Sequence, residues 1–267
     1  MTFTLDDIKK SMPREKARKD SIWVKLWVRP ISYPLSWLAL RLGIMPNQIS
    51  VVAIIDALLS AVFLSVNNSL FIIGGLLLLN LFIVFDCMDG TMARTLKKAS
   101  YMGEFYDAMG GYAMCGFSLL GTGICAFNSG RNLFFDNGVY LIVFGALGSI
   151  CDIFARLVYQ KYTANVMIGN YKLGKPLLRE NDSFYSGEKQ KKINITYLRL
   201  EIDRQFGVGG IFPPLLLLSY IFSFIDVIII LYGLYHLLAF VFAMFLFCRK
   251  ASKFDAEKAN FVLGKEN

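Results

Sequence analysis

The chain has 267 residues, 55% of them hydrophobic and 15% aromatic, with a mean hydropathy of +0.50 and a formal net charge of +8. Apolar content at this level exceeds that of a water-soluble domain of the same size and marks a membrane protein. The five scattered cysteines and single histidine, His236, exclude a disulfide framework or zinc site as the organising feature. A basic balance in such a chain points to anionic headgroups or phosphates rather than to nucleic acid.

In chain order, the first stretch, "MTFTLDDIKKSMPREKARK", is polar and charged, so no removable signal peptide is expected. Residues 20–42 interleave Trp23, Trp27, Trp37 and leucines with Lys25, Arg29 and Arg41, a pattern suited to an amphipathic helix lying in the membrane interface. Residues 1–48 are read as this interfacial segment. Apolar runs at 49–66, 69–87, 105–127, 138–159, 211–225 and 227–247 predict an all-α, polytopic helical bundle with six transmembrane helices over 49–248. The last two runs are short and separated only by "SFID", which reads as a tight hairpin; one broken helix, giving five spans, is the alternative. A polar loop is expected over 160–210 and a tail over 249–267.

Lysine and arginine accumulate on the cytoplasmic side. Nine fall in residues 1–48, three in 88–104, ten in the end of span four and its loop, five in the tail, and only Arg131 lies on the opposite side of a six-span topology. Both termini and the 86–107 connection are therefore expected in the cytoplasm.

Asp86, Asp89, Gly90, Ala93 and Arg94 share one helical face by their spacing, and Gly103, Glu104 and Asp107 open the next helix. Folded back on each other through "RTLKKAS", the two helices bring three carboxylates to the cytoplasmic edge of the bilayer. Each acid costs about 2.5–3.5 kcal/mol at a helix centre, and like charges add to that. Hard carboxylate oxygens suit Mg²⁺, Mn²⁺ or Ca²⁺, and two carboxylates with substrate phosphates are the usual company of Mg²⁺. The bland alternative is that these acids pair with Arg94, Lys97 and Lys98. Asp56, and Asp152 with Arg156, are further polar groups that must face the bundle interior, as interhelical hydrogen bonds or as substrate contacts.

The run Asp86, Asp89-Gly90, Ala93-Arg94, eight residues, Gly103, then Asp107 resembles the signature DxxDGxxARx₈GxxxDxxxD of the CDP-alcohol phosphotransferases. "MPNQIS", residues 45–50, resembles the start of that family's first helix. The resemblance implies two Mg²⁺ or Mn²⁺ ions held by Asp86, Asp89 and Asp107. It implies a nucleotide site made by Asn47, Asp89, Gly90, Ala93, Arg94 and Gly103, and a homodimer. The implied reaction displaces CMP from a CDP-linked donor, CDP-diacylglycerol or a CDP-alcohol, by an alcohol or lipid hydroxyl in phospholipid or glycolipid synthesis.

Gly111 stands where the pattern has its fourth aspartate, the expected base. General base catalysis is worth about 10²–10⁴ in rate, so loss of that group alone need not abolish turnover. Asp107 and Glu104 are then the expected catalytic residues, Glu104, one turn away, being a substitute for the missing carboxylate, as are Glu201 or Asp203 entering from the loop. Water or the acceptor itself is another substitute, because Mg²⁺ accepts water ligands. The competing function is a catalytically weak relative that binds nucleotide or lipid as a partner protein. A transporter is disfavoured, because ion passage gives no reason for Gly90 and Ala93 beside the acids.

Overall fold

The computed structural model describes residues 3–98, 100–130, 136–172, 201–202 and 204–263, with side chains described through 256. The "NDSFYSGEKQKKIN" stretch of the expected loop, Asp203 and Arg131 lie outside the described residues. Every described element is helical.

Two short helices open the chain, α1 (Leu5–Lys10) and α2 (Arg14–Lys19), α1 capped by Thr4, which exchanges hydrogen bonds with Asp7. A wide π-helical turn, Val24–Val28, then runs into α3 (Arg29–Arg41). The stretch expected to be an amphipathic helix is thus helical, and it leaves Leu26, Trp27, Ile31 and Leu38 exposed. A left-handed Gly43 ends α3, with Ile44 N–H closing back on the Ala39 carbonyl at 3.0 Å.

The bundle proper comprises α4 (Pro46–Ser65), α5 (Ser69–Thr95), α6 (Tyr101–Asn128), α7 (Val139–Lys172), α8 (Phe212–Ile221) and α9 (Ile225–Leu263). Five of these, α4 to α7 and α9, are long and apolar enough to cross a membrane, which makes the chain an integral membrane protein. The run expected as a fifth span forms only the ten-residue α8. At 1.5 Å per residue α8 rises about 15 Å, half of the hydrocarbon thickness.

Small residues set the packing. A Cβ on Gly75 of α5 would stand 2.9 Å from the Ser60 carbonyl of α4, and one on Gly121 of α6 would stand 2.9 Å from Ala61 Cα. Between α6 and α7, Gly123 faces the Leu141 carbonyl and Gly145 faces the Leu119 carbonyl, so these helices are antiparallel. The glycines of α6 and α7 are therefore used inside the chain, where close approach strengthens dispersion contact.

Helices α7 and α9 pack in parallel. Gly148 meets Gly233, Phe154 stacks near Phe240, Tyr159 and Tyr162 meet Phe247, and Gly169 lies against Phe254, both numberings rising together. The segment 204–211 and α8 carry the chain back between them. Its lower end is marked by Gln205, whose Oε1 accepts the Ile22 N–H at 3.0 Å, and its upper part by Phe212, stacked on Tyr232. Pro213 and Pro214 occupy the buried first turn of α8, removing two N–H groups that would otherwise lack partners inside the bundle. The "SFID" hairpin forms as expected, turning on Ser223 at φ +65°.

Helices outrun the apolar stretches that foretold them. The expected loop from 160 begins as a continuation of α7 through Lys172, and the described part of the expected tail continues α9 through Leu263. The reason is mutual: Tyr162, Gly169, Phe247 and Phe254 keep the two helices packed after each has become polar.

Candidate active site

Helix α4 begins at Pro46, whose missing N–H is harmless in a first turn, and Gln48 Oε1 takes the Met45 N–H at 2.8 Å. This start places Ser50 one turn inward, where its hydroxyl donates to Asp89 Oδ2 at 2.6 Å. Asp89 is 7% exposed, and burying a carboxylate in an apolar bundle demands such a donor.

Asp86, one turn before Asp89 on α5, and Asp107 on α6 are both open to solvent. Asp86 lies within electrostatic range of Asp89 and Asp107, and also of Lys16 and Arg29. The three signature acids thus lie on two helices within electrostatic range of one another. None is ion-paired within 4 Å among the described residues, so pairing with Arg94, Lys97 or Lys98 is not what holds them. No three acidic, histidine or cysteine side chains among the described residues are grouped closely enough to hold a metal ion on their own.

Gly90 works through its missing side chain: a Cβ there would stand 3.2 Å from Arg94 Nη1, so the guanidinium folds back over the glycine. Arg94 Nη2 donates to Thr91 Oγ1 at 3.2 Å, while its buried Nε makes no hydrogen bond. Gly103 is held by the Ser100 cap, whose Oγ accepts the Gly103 N–H at 3.0 Å, and it abuts Asn47, whose Oδ1 would be 3.4 Å from a Cβ. Asn47 also lines a cleft of about 360 Å³ with Gln48 and Tyr106.

The turn joining α5 to α6 is a Schellman closure, with Lys98 N–H on the Ala93 carbonyl at 3.0 Å and Lys97 N–H on that of Arg94 at 3.1 Å. Lys97 takes the left-handed conformation, φ +53°. The closure stops α5 one residue after Arg94 and lets α6 return with Asp107 beside the acid pair.

Gly111 faces open space, with nothing within 4 Å of where a Cβ would lie. Glu104 is exposed in the first turn of α6, one turn below Asp107. Glu201 is held by Arg204 and by Gln205 Nε2, which occupies it on its own helical turn. Asp152 is buried against Arg156, Nε to Oδ1 3.4 Å, and against His236 Nδ1 on α9 at 3.6 Å, which is the interhelical role. Asp56 is buried with Oδ2 lacking a hydrogen-bond partner.

Sequence reasoning missed two contributors. Ser50 sits inside the quoted "MPNQIS", one turn after Asn47, and that spacing was its signal. Arg29 was read only as an interfacial charge. It is buried, pairs with Asp20 at 2.8 Å, and reaches Thr91 Oγ1 at 3.3 Å and the Cys87 carbonyl at 3.5 Å, in the middle of the acidic run. Burial opposes its charge, but the Asp20 carboxylate, together with Cys87 and Tyr33, offsets this and leaves the guanidinium pKa above its ordinary value.

The donor chemistry fits a divalent cation. Asp86, Asp89 and Asp107 are all oxygen donors within electrostatic range of one another, with no ion pair to any of them among the described residues.

The family model described as CDP-alcohol phosphatidyltransferase matches residues 43–176, half of the chain and every element of this site from α4 to α6. Comparison with curated proteins and comparison with solved structures each gave no match.

Proposed function

Because the chain belongs to the CDP-alcohol phosphatidyltransferase family, we propose that it displaces CMP from a CDP-linked donor by the hydroxyl of an acceptor, with a lipid as donor or acceptor, in phospholipid or glycolipid synthesis. The family makes it a phosphotransferase of lipid synthesis; the donor, acceptor, metal and sidedness belong to the proposal. The observation that carries it is that Asp86, Asp89 and Asp107 lie within electrostatic range of one another without an ion pair among the described residues, beside an arginine folded over a glycine.

In this reading the acceptor oxygen forms a bond to the donor's β-phosphorus, the bond from that phosphorus to the CMP oxygen breaks, and CMP leaves with the electron pair. The hydroxyl proton passes to Asp107 or, where the missing aspartate leaves a gap, to Glu104 one turn away. Asp86, Asp89 and Asp107 would hold Mg²⁺ or Mn²⁺, two ions by family likeness, which when bound supply neutralising charge to the diphosphate. Arg94 orients the diphosphate, Gly90 and Ala93 leave room for the nucleotide, and Asn47 with Gly103 closes the cytidine end. Ser50 fixes Asp89 so that one oxygen stays turned to the cavity.

The cytoplasmic surface is the proposed location, supported by the lysine and arginine distribution. Six crossings are proposed, the fifth made by the 204–211 segment with α8, since parallel α7 and α9 need a return between them. A homodimer is proposed on family likeness, through faces other than the α6 and α7 glycines.

The open space at Gly111 favours one second reading, a weakly catalytic relative that binds nucleotide or lipid as a partner. Purified protein incubated with CDP-diacylglycerol and a panel of CDP-alcohols and acceptors, with Mg²⁺ or Mn²⁺, separates the two. Metal-dependent CMP release is expected; none from folded, metal-binding protein establishes the second reading.

A further inference from the structure

Away from the carboxylates, the N-terminal helices enclose a cavity of about 510 Å³ against α3. Its polar wall consists of Lys9, Lys25, Arg29, Tyr33 and Asp20. The one acid is already engaged, since Arg29 Nε and Nη2 donate to the two Asp20 oxygens at 2.8 and 3.3 Å. What remains is an excess of positive charge from Lys9 and Lys25, the latter with Nζ on the Arg18 carbonyl at 2.9 Å. The rest of the wall is apolar and includes Pro30 and Pro34.

Beside this cavity, the turn before α3 and α3 itself expose Leu26, Trp27, Ile31 and Leu38, each 47–65% accessible. Exposed leucine, isoleucine and tryptophan next to lysines describe the depth at which acyl chains meet headgroups. A free anion has no use for that apolar border. Lysine is a point-charge binder of phosphate, and each one near an anionic leaflet strengthens binding about fivefold.

We propose that this cavity is a site for the headgroup of an anionic phospholipid, its phosphate between Lys9 and Lys25 and its glycerol and upper acyl carbons against the apolar wall and the exposed stripe of α3. Arg29 connects the site to the acidic helix: Thr91 Oγ1 accepts from both Arg29 Nη1 and Arg94 Nη2 and donates to the Cys87 carbonyl at 2.7 Å. An occupied cavity holds α1, α2 and α3 together against the part of α5 that bears Asp86, Asp89 and Arg94. That link to turnover rests on the function proposed above; the binding site itself does not.

The test is lipid retention by the purified full chain in non-ionic detergent, read by native mass spectrometry with phosphatidylglycerol and phosphatidylcholine as probes, without donor or acceptor. Its outcome is therefore independent of CMP release. Wild type is expected to retain phosphatidylglycerol over phosphatidylcholine, Lys9→Ala/Lys25→Ala to lose about 25-fold in that retention, and Lys9→Arg/Lys25→Arg to keep it. A control pair on other surfaces, Lys161→Ala/Lys253→Ala, is expected to leave it unchanged. Photoactivatable phosphatidylglycerol should label the 5–34 region of the unaltered protein, a result that does not depend on any variant folding. Equal retention of the two lipids, an equal loss in the control pair, or labelling confined to other segments overturns the proposal. Displacement of the lipid by inorganic phosphate at matching concentration assigns the cavity to a free anion and overturns it as well.

Discussion

Among the described residues, Ser50 and Asp89 form the one direct hydrogen bond to a signature acid between helices, 2.6 Å long and buried. Partners that orient a metal-binding carboxylate are commonly worth 10–100-fold in affinity. Ser50→Ala is therefore expected to raise the Mg²⁺ or Mn²⁺ concentration needed for half-maximal CMP release about tenfold, with Ser50→Thr restoring it. An unchanged metal titration would remove Ser50 from the site. Two glycines give opposite expectations. A Cβ at Gly111 meets nothing, so Gly111→Ala should gain about 0.5–1 kcal/mol from helix propensity. At Gly145 a Cβ would lie 2.6 Å from the Leu119 carbonyl, so Gly145→Ala should lose about 1–3 kcal/mol. Thermal unfolding in detergent reads both. The acids and the glycine between them were legible because helical spacing alone puts 86, 89, 90 and 94 on one face. Ser50 offered only its place one turn after Asn47, because a serine in an apolar run looks the same whether it bonds its own helix or a neighbour.

At the scale of the element, the α5–α6 turn closes through a lysine in a conformation that favours glycine. Replacing Lys97 by glycine keeps both closing hydrogen bonds and removes the steric penalty. Lys97→Gly is expected to stabilise the protein by about 1 kcal/mol in the same melting experiment; a loss would mean that the lysine side chain makes a contact worth more than the strain. Element boundaries were the less legible part. Hydropathy follows the lipid, whereas helices follow hydrogen bonding and packing, so α5 runs on through Asp86 to Thr95 and α7 to Lys172. Helix α8 shows the same limit from the other side: its run is apolar enough to span, yet Pro213 and Pro214 start the helix beside Tyr232, partway along the bundle.

For the whole molecule, the parallel packing of α7 and α9 decides the topology. It requires α9 to end on the same side as α7, and hence on the side of the carboxylates, since α7 is antiparallel to α6. Cys248 is the one exposed cysteine; the other four are buried. A membrane-impermeant thiol reagent should therefore label sealed vesicles at Cys248 only when their cytoplasmic face is outward, with Cys248→Ser as the blank. Labelling from the opposite face would contradict six crossings and the placement of the site together. The charge distribution by itself leads to the topology proposed above, whereas the return through 204–211 and α8 has no such signal, because its Gly207, Gly209 and Gly210 break the helical period that a span would show.

The most direct measurement is CMP release from a CDP-linked donor by the purified protein, with and without divalent cation, for wild type, Asp86→Ala and Asp107→Ala. The account predicts release that a chelator abolishes and that falls by at least about a hundredfold in each variant, as loss of a metal-holding carboxylate demands. A rate retained in either variant, with the same metal dependence as wild type, would contradict it.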